Sequence, residues 1–484
     1  MSNKSSVKKN FFYQIIYELL VLILPFITSP YIARVLGAEG LGIYSYSYSI
    51  AYYFVLFSML GLKNYGNRAI AQARDNENKL NRTFSSILVI HIITSLICCA
   101  VYLIYVCSLE QDKVYAAIQG AFVLSGLFDI SWFYFGIEEF KLTVTRNTII
   151  KILNVACVFL LVKDSDDLWK YCAIMAVGML VSQLTLWIPL RKYVRIVKIR
   201  MDEVTIHLKP LFILFIPAIA VSLYKYMDKI MIGSMSSKTQ LGYYENAEKV
   251  INIPMTIIAS FGTVMLPKMS NLATSTNKKE SMRYIALSME FVMCLAFALA
   301  FGLAGVGKTF APVFWGDGFS VSGTIIMGLA VTIPFVSFAN VIRTQYLIPN
   351  KKDNEYLAAV IAGAIANLVV NWTLIPNCGA FGATIGTIVA EVTVCIIQSY
   401  VVRNELPLLR YFKSFFTFIV YGALMFIFVY FLGKILGTSI ETLLLQIVVG
   451  AIVYCALSLI TFIIEKNEIV MEGINRFKRK LSQR

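Results

Sequence analysis

Residues 210–233 read PLFILFIPAIAVSLYKYMDKIMIG, and this stretch decides which kind of fold the chain can adopt. A helix that crosses a bilayer needs about 20 mostly apolar residues, and this run is long enough. Cutting the rest of the chain at its charged residues gives thirteen further runs of similar length. We therefore predict an all-α polytopic membrane protein of about 14 transmembrane helices. The other approximate spans are 12–33, 43–63, 84–108, 114–136, 143–162, 169–190, 246–266, 284–303, 323–345, 356–376, 380–402, 414–435 and 441–464.

The composition excludes a soluble domain, because 58% of the residues are hydrophobic, 15% are charged and the mean hydropathy is +0.71. A net charge of +15 would indicate a nucleic-acid partner in a soluble protein. Here 33 of the 43 basic residues fall in alternate loops, as the positive-inside rule requires. We expect both termini in the cytoplasm, span 12–33 as a retained helix, and no nucleic-acid partner.

The nine cysteines and two histidines form no ligand pattern. Most cysteines lie within apolar runs, and His91 and His207 are far apart without a partnering motif. The sequence therefore predicts neither a metal site nor a cofactor.

The two halves of the chain resemble each other at an offset of 200 residues. Leu41-Gly42-Ile43-Tyr44 follows the first span, and Leu241-Gly242-Tyr243-Tyr244 follows the seventh. Parallel repeats predict two six-helix lobes with a cavity between them, although apolar sequences also resemble one another by chance. The predicted regions begin with an N-lobe of helices 1–6 at 1–190 and a cytoplasmic interfacial linker, resembling an amphipathic helix, at 191–209. They continue with a C-lobe of helices 7–12 at 210–402 and with helices 13–14 and a cytoplasmic tail at 403–484.

The densest group of intramembrane charges lies in the seventh span, at Lys225, Asp228 and Lys229. Charges within a bilayer are expensive and should face protein or water. Asp228 can pair with Lys225 at i+3, which leaves one positive charge in surplus. We interpret the three residues as part of a cargo-binding lumen, and the alternative is a structural pair that lets the helix insert.

Other polar residues within spans have two interpretations each. Lys151 lies between Asn147 and Asn154 on one helical face, which fits either cargo binding or interhelical hydrogen bonds. Glu391 is a lone carboxylate in the twelfth span, and Asp129 lies nearer an inner end. Both are candidates for an ion-coupling site, and structural pairing is the alternative.

Three further candidates for substrate binding lie in the first two spans. Arg34 follows two prolines on the basic-poor outer side, where a snorkelling arginine is the alternative. Tyr48 and Tyr52 continue a stripe that starts at Tyr44, with serines interleaved. This stripe suits either an interfacial aromatic belt or a wall for sugar rings. Positive charge with hydroxyl and amide groups favours an anionic, hydroxyl-rich cargo.

Several motifs together resemble those of polysaccharide-type (Wzx-like) flippases of the MOP superfamily. They are YIARVLGAEGLGIY at 31–44, Gly61-Leu62, DKIMIG at 228–233 and LGYYENA at 241–247, in that order. The resemblance implies the fold of lipid II flippases and MATE exporters. It also implies flipping of undecaprenyl-pyrophosphate-linked oligosaccharide units to the outer leaflet by alternating access, for capsule, O-antigen or exopolysaccharide. Arg34 and Asp228 fall on motif positions of the family.

The resemblance further implies a bacterial inner membrane location and polymerase and glycosyltransferase partners. No Walker glycine loop is present, so H⁺, Na⁺ or another driving force remains open. The alternatives are a MATE-like cation or drug antiporter and a lipid II flippase. An enzyme is disfavoured, because the outer loops are short and no catalytic acid–base cluster is evident.

Overall fold

The computed structural model describes the backbone of residues 3–274 and 278–464, and their side chains except those of 3–23, 224, 278, 413, 414 and 464. Within these ranges the regular secondary structure is helical, without a β-strand. Twelve helical segments of this part are long and apolar enough to cross a bilayer. A further helix, α1 (Asn3–Met59), contains the first predicted span and most of the second, 43–63. The predicted class, an all-α polytopic membrane protein, is confirmed.

The described residues group into two compact units. Unit 1 comprises the described chain up to Glu245 together with Ile375–Ala380, and unit 2 comprises Asn246–Leu374 and the described residues from Phe381 onwards. The predicted lobes are defined by an internal repeat rather than by contacts. Their boundaries at 1–190, 191–209, 210–402 and 403–484 therefore stay a prediction.

Unit 1 is built around its first helix, which packs on α3, α4, α6 and α9, while α4 packs on α7. The helices of this unit are α1 Asn3–Met59, α2 Leu62–Ala73, α3 Glu77–Ser108, α4 Lys113–Leu127, α5 Ser131–Gly136, α6 Phe140–Leu161, α7 Leu168–Leu184, α8 Trp187–Leu190, α9 Met201–Met235 and the start of α10 Lys238–Thr274.

Helix α1 joins the predicted spans 12–33 and 43–63 through a kink rather than a loop. Gly37 has φ 68° and ψ 179°, a conformation that only glycine adopts readily. The chain therefore changes direction at one residue, and helical structure continues on both sides. Span 114–136 is likewise divided, into α4 and α5.

The segment between the sixth and seventh spans differs from the expectation of an interfacial helix at 191–209. Residues 194–200 form no helix, and α9 already begins at Met201. The Arg195 amide donates to Asn81 Oδ1 at 2.8 Å, and the Val197 amide donates to Ser85 Oγ at 3.0 Å. These two bonds to α3 satisfy backbone N–H groups that would otherwise donate within a helix. Residues 194–200 therefore stay extended.

Unit 2 is organised around α11, which packs on α12, α13, α16 and α17. Predicted span 323–345 is divided into two helices at Val331 and ends in a π-helical turn, Arg343–Leu347. Besides the rest of α10, its helices are α11 Lys278–Trp315, α12 Ser320–Ala330, α13 Thr332–Ile342, α14 Asp353–Cys378, α15 Ala380–Val402, α16 Leu408–Leu436 and α17 Ile440–Ile464.

Candidate functional site

Helices α1 and α10 cross in backbone contact inside unit 1. A Cβ atom added at Gly42 would lie 1.7 Å from the carbonyl oxygen of Lys238, and one added at Gly242 would lie 1.9 Å from that of Ala38. No side chain fits at such distances, so the crossing requires glycine at both positions. The two contacts are related by the same 200-residue offset as the sequence repeat. The repeated Leu-Gly motif therefore has a physical role, since the glycine of each copy contacts the backbone four residues before the glycine of the other copy.

One turn beyond the crossing, Glu245 joins three helices. Ser45 Oγ of α1 donates to Glu245 Oε2 at 2.8 Å. Lys229 Nζ of α9 lies 2.8 Å from the same oxygen, and both charged side chains are less than one-fifth exposed. A charged pair with this little solvent is screened weakly, so it holds the three helices together more firmly than a surface pair would.

Asp228 contacts the neighbouring turn of α10. It is 5% exposed and accepts a hydrogen bond from Tyr244 Oη at 2.9 Å. We call Ser45, Asp228, Lys229, Tyr244 and Glu245 the Lys229 cluster.

The Lys229 cluster changes the charge count that the sequence predicted. Lys225, Asp228 and Lys229 alone leave one positive charge in surplus, but Glu245 from α10 brings the four formal charges to zero. Lys225 is exposed, whereas Lys229 is largely buried against Glu245. Sequence reasoning missed Glu245 as a site residue, although it directly follows the repeated motif 241–244.

Aromatic rings of α1 and α9 lie beside the Lys229 cluster. Tyr52 stacks on Tyr226 with ring centroids 4.0 Å apart, and Tyr48 lies 6.4 Å from Tyr226 and stacks on Phe122 at 4.9 Å. Lys229 Nζ lies 5.5 Å from the centroid of Tyr226. Tyr48 and Tyr52 are therefore brought together with Lys229, and Tyr226 is a neighbour that sequence reasoning did not single out.

Lys151 lies half-buried on α6, on the face predicted from its neighbours. Asn147 Oδ1 accepts a hydrogen bond from Arg146, and Ser182 Oγ of α7 lies 3.4 Å from it. A Cβ atom at Gly178 would lie 2.4 Å from Asn154 Oδ1. The two asparagines thus face α7, as the interhelical interpretation expects.

The remaining predicted residues lie at other positions. Arg34 is exposed on α1, one turn before the Gly37 kink. Asp129 is 7% exposed and its Oδ1 accepts from the Ser131 amide at 3.0 Å, at the break between α4 and α5. This contact favours the structural interpretation of Asp129, and ion coupling by this residue stays a prediction. Glu391 lies half-buried in α15 of unit 2.

Both histidines make hydrogen bonds within unit 1. His91 Nε2 bonds the carbonyl oxygen of Gly126 at 2.8 Å, and His207 Nδ1 bonds Tyr65 Oη at 2.5 Å. Among the residues that the structure describes, no group of three or more His, Cys, Asp or Glu side chains could hold a metal ion.

Residues 7–273 match the protein family described as polysaccharide biosynthesis protein, and this match covers more than half of the chain. The chain belongs to this family. The resemblance to polysaccharide-type flippases that the motifs indicated is confirmed.

Two relatives are similar over most of the chain, and both are provisionally named O-antigen transporters. The protein of Shigella dysenteriae is 24% identical over 404 residues, which cover 82% of this chain and 100% of the relative. The protein of Escherichia coli K12 is 23% identical over 415 residues, which cover 84% and 98%.

Solved structures of two transporter types share the fold. A lipid II flippase, MurJ, in an inward closed conformation has a TM-score of 0.77 at 15% identity and covers 93% of this chain and 99% of its own. An inward-facing MATE multidrug transporter has a TM-score of 0.51 at 11% identity and covers 81% and 98%. The predicted MOP-type fold is thereby confirmed, and at these identities the likeness concerns the fold alone.

Proposed function

We propose that this protein is a flippase that moves lipid-linked oligosaccharide units, carried on undecaprenyl pyrophosphate, from the inner to the outer leaflet of the bacterial cytoplasmic membrane. The observation that carries the proposal is the alignment with two relatives named O-antigen transporters over nearly their whole length. It is a transport function, with no catalytic group. Polymerase and glycosyltransferase partners belong to the same proposal.

The chemistry of the Lys229 cluster suits such a cargo. A pyrophosphate cannot cross hydrocarbon with its charge unpaired, since the loss of hydration is too costly. Lys229 is paired with the carboxylate of Glu245 at 2.8 Å. A pyrophosphate that displaces Glu245 gives Lys229 another anionic partner, and the half-buried Tyr48 and Tyr52 bring aromatic rings and hydroxyl groups to the same place. In this proposal Glu245 is the exchangeable counter-ion, and Arg34, Lys151 and Lys225 supply further positive charge.

The crossing at Gly42 and Gly242 supports alternating access as the mechanism. By the positive-inside assignment, both Leu-Gly motifs lie at the outer ends of their spans. Backbone contact there closes the outer side of the site, and opening it requires α1 and α10 to separate. Movement of the cargo is driven by a gradient of H⁺ or Na⁺, by the membrane potential or by downstream consumption of the cargo, with Glu391 as the candidate ion carrier.

The direct test is a deletion strain that is supplied with the wild-type gene or with a variant. Radiolabelled undecaprenyl-pyrophosphate oligosaccharide is assigned to a leaflet by its accessibility to an added enzyme, and surface polysaccharide is measured alongside. We expect the deletion to trap cargo in the inner leaflet and remove surface polymer. Normal outer-leaflet cargo in the deletion strain would reject the proposal, and drug export would then be tested.

The site is tested by neutralising Lys225 and Lys229 together as Lys225→Gln and Lys229→Gln. Export should fall about tenfold or more, because a hydrogen bond to a charged group is worth about 1.5–3 kcal/mol. The matched control is Arg191→Gln with Lys192→Gln, which removes the same charge from two exposed residues outside the site. Equal export by both double variants, at equal membrane levels, would exclude Lys225 and Lys229 from cargo binding.

A further inference from the structure

A cavity lies in unit 1, between the first turns of α6 and the α7–α8 junction. Its volume is about 560 Å³, within the usual range of ligand pockets. All of its lining residues belong to unit 1, and none belongs to the Lys229 cluster. Charged and hydroxyl groups lie on part of the wall and aliphatic groups on the rest. The lining residues are Glu139, Lys141, Leu142, Thr145, Arg146, Ile149, Ile150, Thr185, Ile188 and Pro189.

The polar part of the wall carries a net positive charge, because it contains two basic residues, Lys141 and Arg146, and one carboxylate, Glu139. Arg146 is oriented by α7, because its Nη1 donates to the Ser182 carbonyl oxygen at 2.8 Å and to Gln183 Oε1 at 2.9 Å. Lys141 is exposed, and among the residues that the structure describes it has no ion-pair partner within 4.0 Å. One guanidinium held by α7 and one exposed ammonium thus border the same cavity, an arrangement that suits a phosphate group.

The apolar part of the wall opens towards the surface of the unit. Ile149 is 52% exposed and Ile188 is 80% exposed. Ile152 and Leu153 continue the exposed aliphatic face of α6 beyond the cavity. A large exposed aliphatic surface on a membrane helix is covered by lipid chains.

The spacing along α6 matches the depth profile of a phospholipid. Lys141 belongs to the basic residues assigned to the cytoplasmic side, one residue after α6 begins. With a rise of about 1.5 Å per residue, Ile149 lies about 12 Å deeper than Lys141. The headgroup layer on each side of the bilayer is about 5–8 Å thick. Lys141 therefore lies in the headgroup layer, Arg146 lies about 8 Å deeper at the boundary with the hydrocarbon, and Ile149 lies among the acyl chains.

We propose that this cavity binds an anionic phospholipid of the cytoplasmic leaflet, with its phosphodiester between Lys141 and Arg146 and an acyl chain along Ile149 and Ile188. Basic pockets between transmembrane helices on the cytoplasmic side are suited to such headgroups. The site is separate from the Lys229 cluster and does not depend on the proposed transport function. Occupancy of this site would depend on the anionic lipid content of the membrane.

The test uses the full-length protein in nanodiscs or mild detergent and counts bound lipids by native mass spectrometry during titration. The probes are phosphatidylglycerol, phosphatidylcholine with the same acyl chains, and undecaprenyl phosphate. We expect one phosphatidylglycerol to bind in preference to phosphatidylcholine. Lys141→Gln should weaken phosphatidylglycerol binding about fivefold, since a basic residue near an anionic lipid is worth about 1 kcal/mol. Lys192→Gln, at an exposed lysine outside the cavity, should leave this binding unchanged.

The cavity itself is tested by filling it. Ile149→Trp should abolish the preferred phosphatidylglycerol site, and Ile152→Trp, at a similarly exposed residue outside the cavity lining, should not. Equal binding of the two phospholipids by the wild type, or equal loss in both tryptophan variants, would overturn the proposal. A Lys141→Gln effect confined to undecaprenyl phosphate would overturn it in favour of a cargo entry site.

Discussion

Replacing Gly42 by alanine tests the helix crossing that the structure assigns to the repeated Leu-Gly motif. The added methyl group would lie 1.7 Å from the carbonyl oxygen of Lys238, whereas ordinary contacts of a Cβ atom begin at 3.4 Å. The new Cβ atom is bonded directly to the backbone and the carbonyl oxygen is part of it, so neither atom can rotate away. Helices α1 and α10 must therefore separate by about 1.7 Å for the variant to fit.

The magnitude follows from two opposing effects. Overpacking costs about 1–3 kcal/mol, and a contact between backbones belongs at the upper end of that range. Alanine in place of glycine within a helix recovers about 1 kcal/mol. The expected net loss for the closed crossing is about 2 kcal/mol, which shifts an equilibrium towards a separated state about thirtyfold.

The matched control is Gly120→Ala in α4, where the new Cβ atom would meet Tyr102 at an ordinary 3.7 Å. This control should gain about 1 kcal/mol from helix propensity alone. Thermal unfolding of the purified variants compares the two changes. Labelling of Ser45→Cys by an impermeant maleimide, in a cysteine-free background, measures separation of the helices. If Gly42→Ala matches Gly120→Ala in both measurements, the closed crossing does not constrain this protein.

Three further predictions concern individual charges. In a double-mutant cycle on thermal stability, Lys229→Gln and Glu245→Gln should show a coupling of about 1–3 kcal/mol, and additive effects would contradict the ion pair. The Asp129→Asn variant retains an acceptor for the Ser131 amide, so it should flip cargo normally. The Asp129→Ala variant should lose about 1 kcal/mol of stability. An Asp129→Asn variant that is stable but inactive would instead indicate ion coupling. Glu391→Gln should alter any proton-coupled current in proteoliposomes, and an unchanged current would leave Glu391 a structural residue.

The sequence predicted the fold class because the constraint on a membrane helix is local. A bilayer offers no hydrogen-bond partners, so each span must be a long apolar helix, which can be recognised in a run such as 210–233 without knowledge of its neighbours. The same local reasoning erred where contacts decide the structure. Residues 194–200 have the composition of an interfacial helix, yet bonds to Asn81 and Ser85 keep them extended. Gly37 replaces an expected loop by a kink.

The candidate site was only partly accessible from the sequence. The charges of the seventh span stand out because charge is rare in a membrane, so Asp228 and Lys229 could be named from their position alone. Their partners could not, since Tyr244 and Glu245 lie in another helix and a tertiary pairing leaves no local periodicity.

By itself, the sequence determined the helical class, the family motifs and a repeat at an offset of 200 residues, and it predicted a topology from its basic loops. The tertiary structure decided what the repeat does, by bringing the backbone at Gly42 against Lys238 and the backbone at Gly242 against Ala38. It also decided the charge of the site, since Glu245 neutralises Lys229 from a neighbouring helix. The reason is that insertion into a bilayer depends on each segment separately, whereas close packing and ion pairing depend on which segments meet.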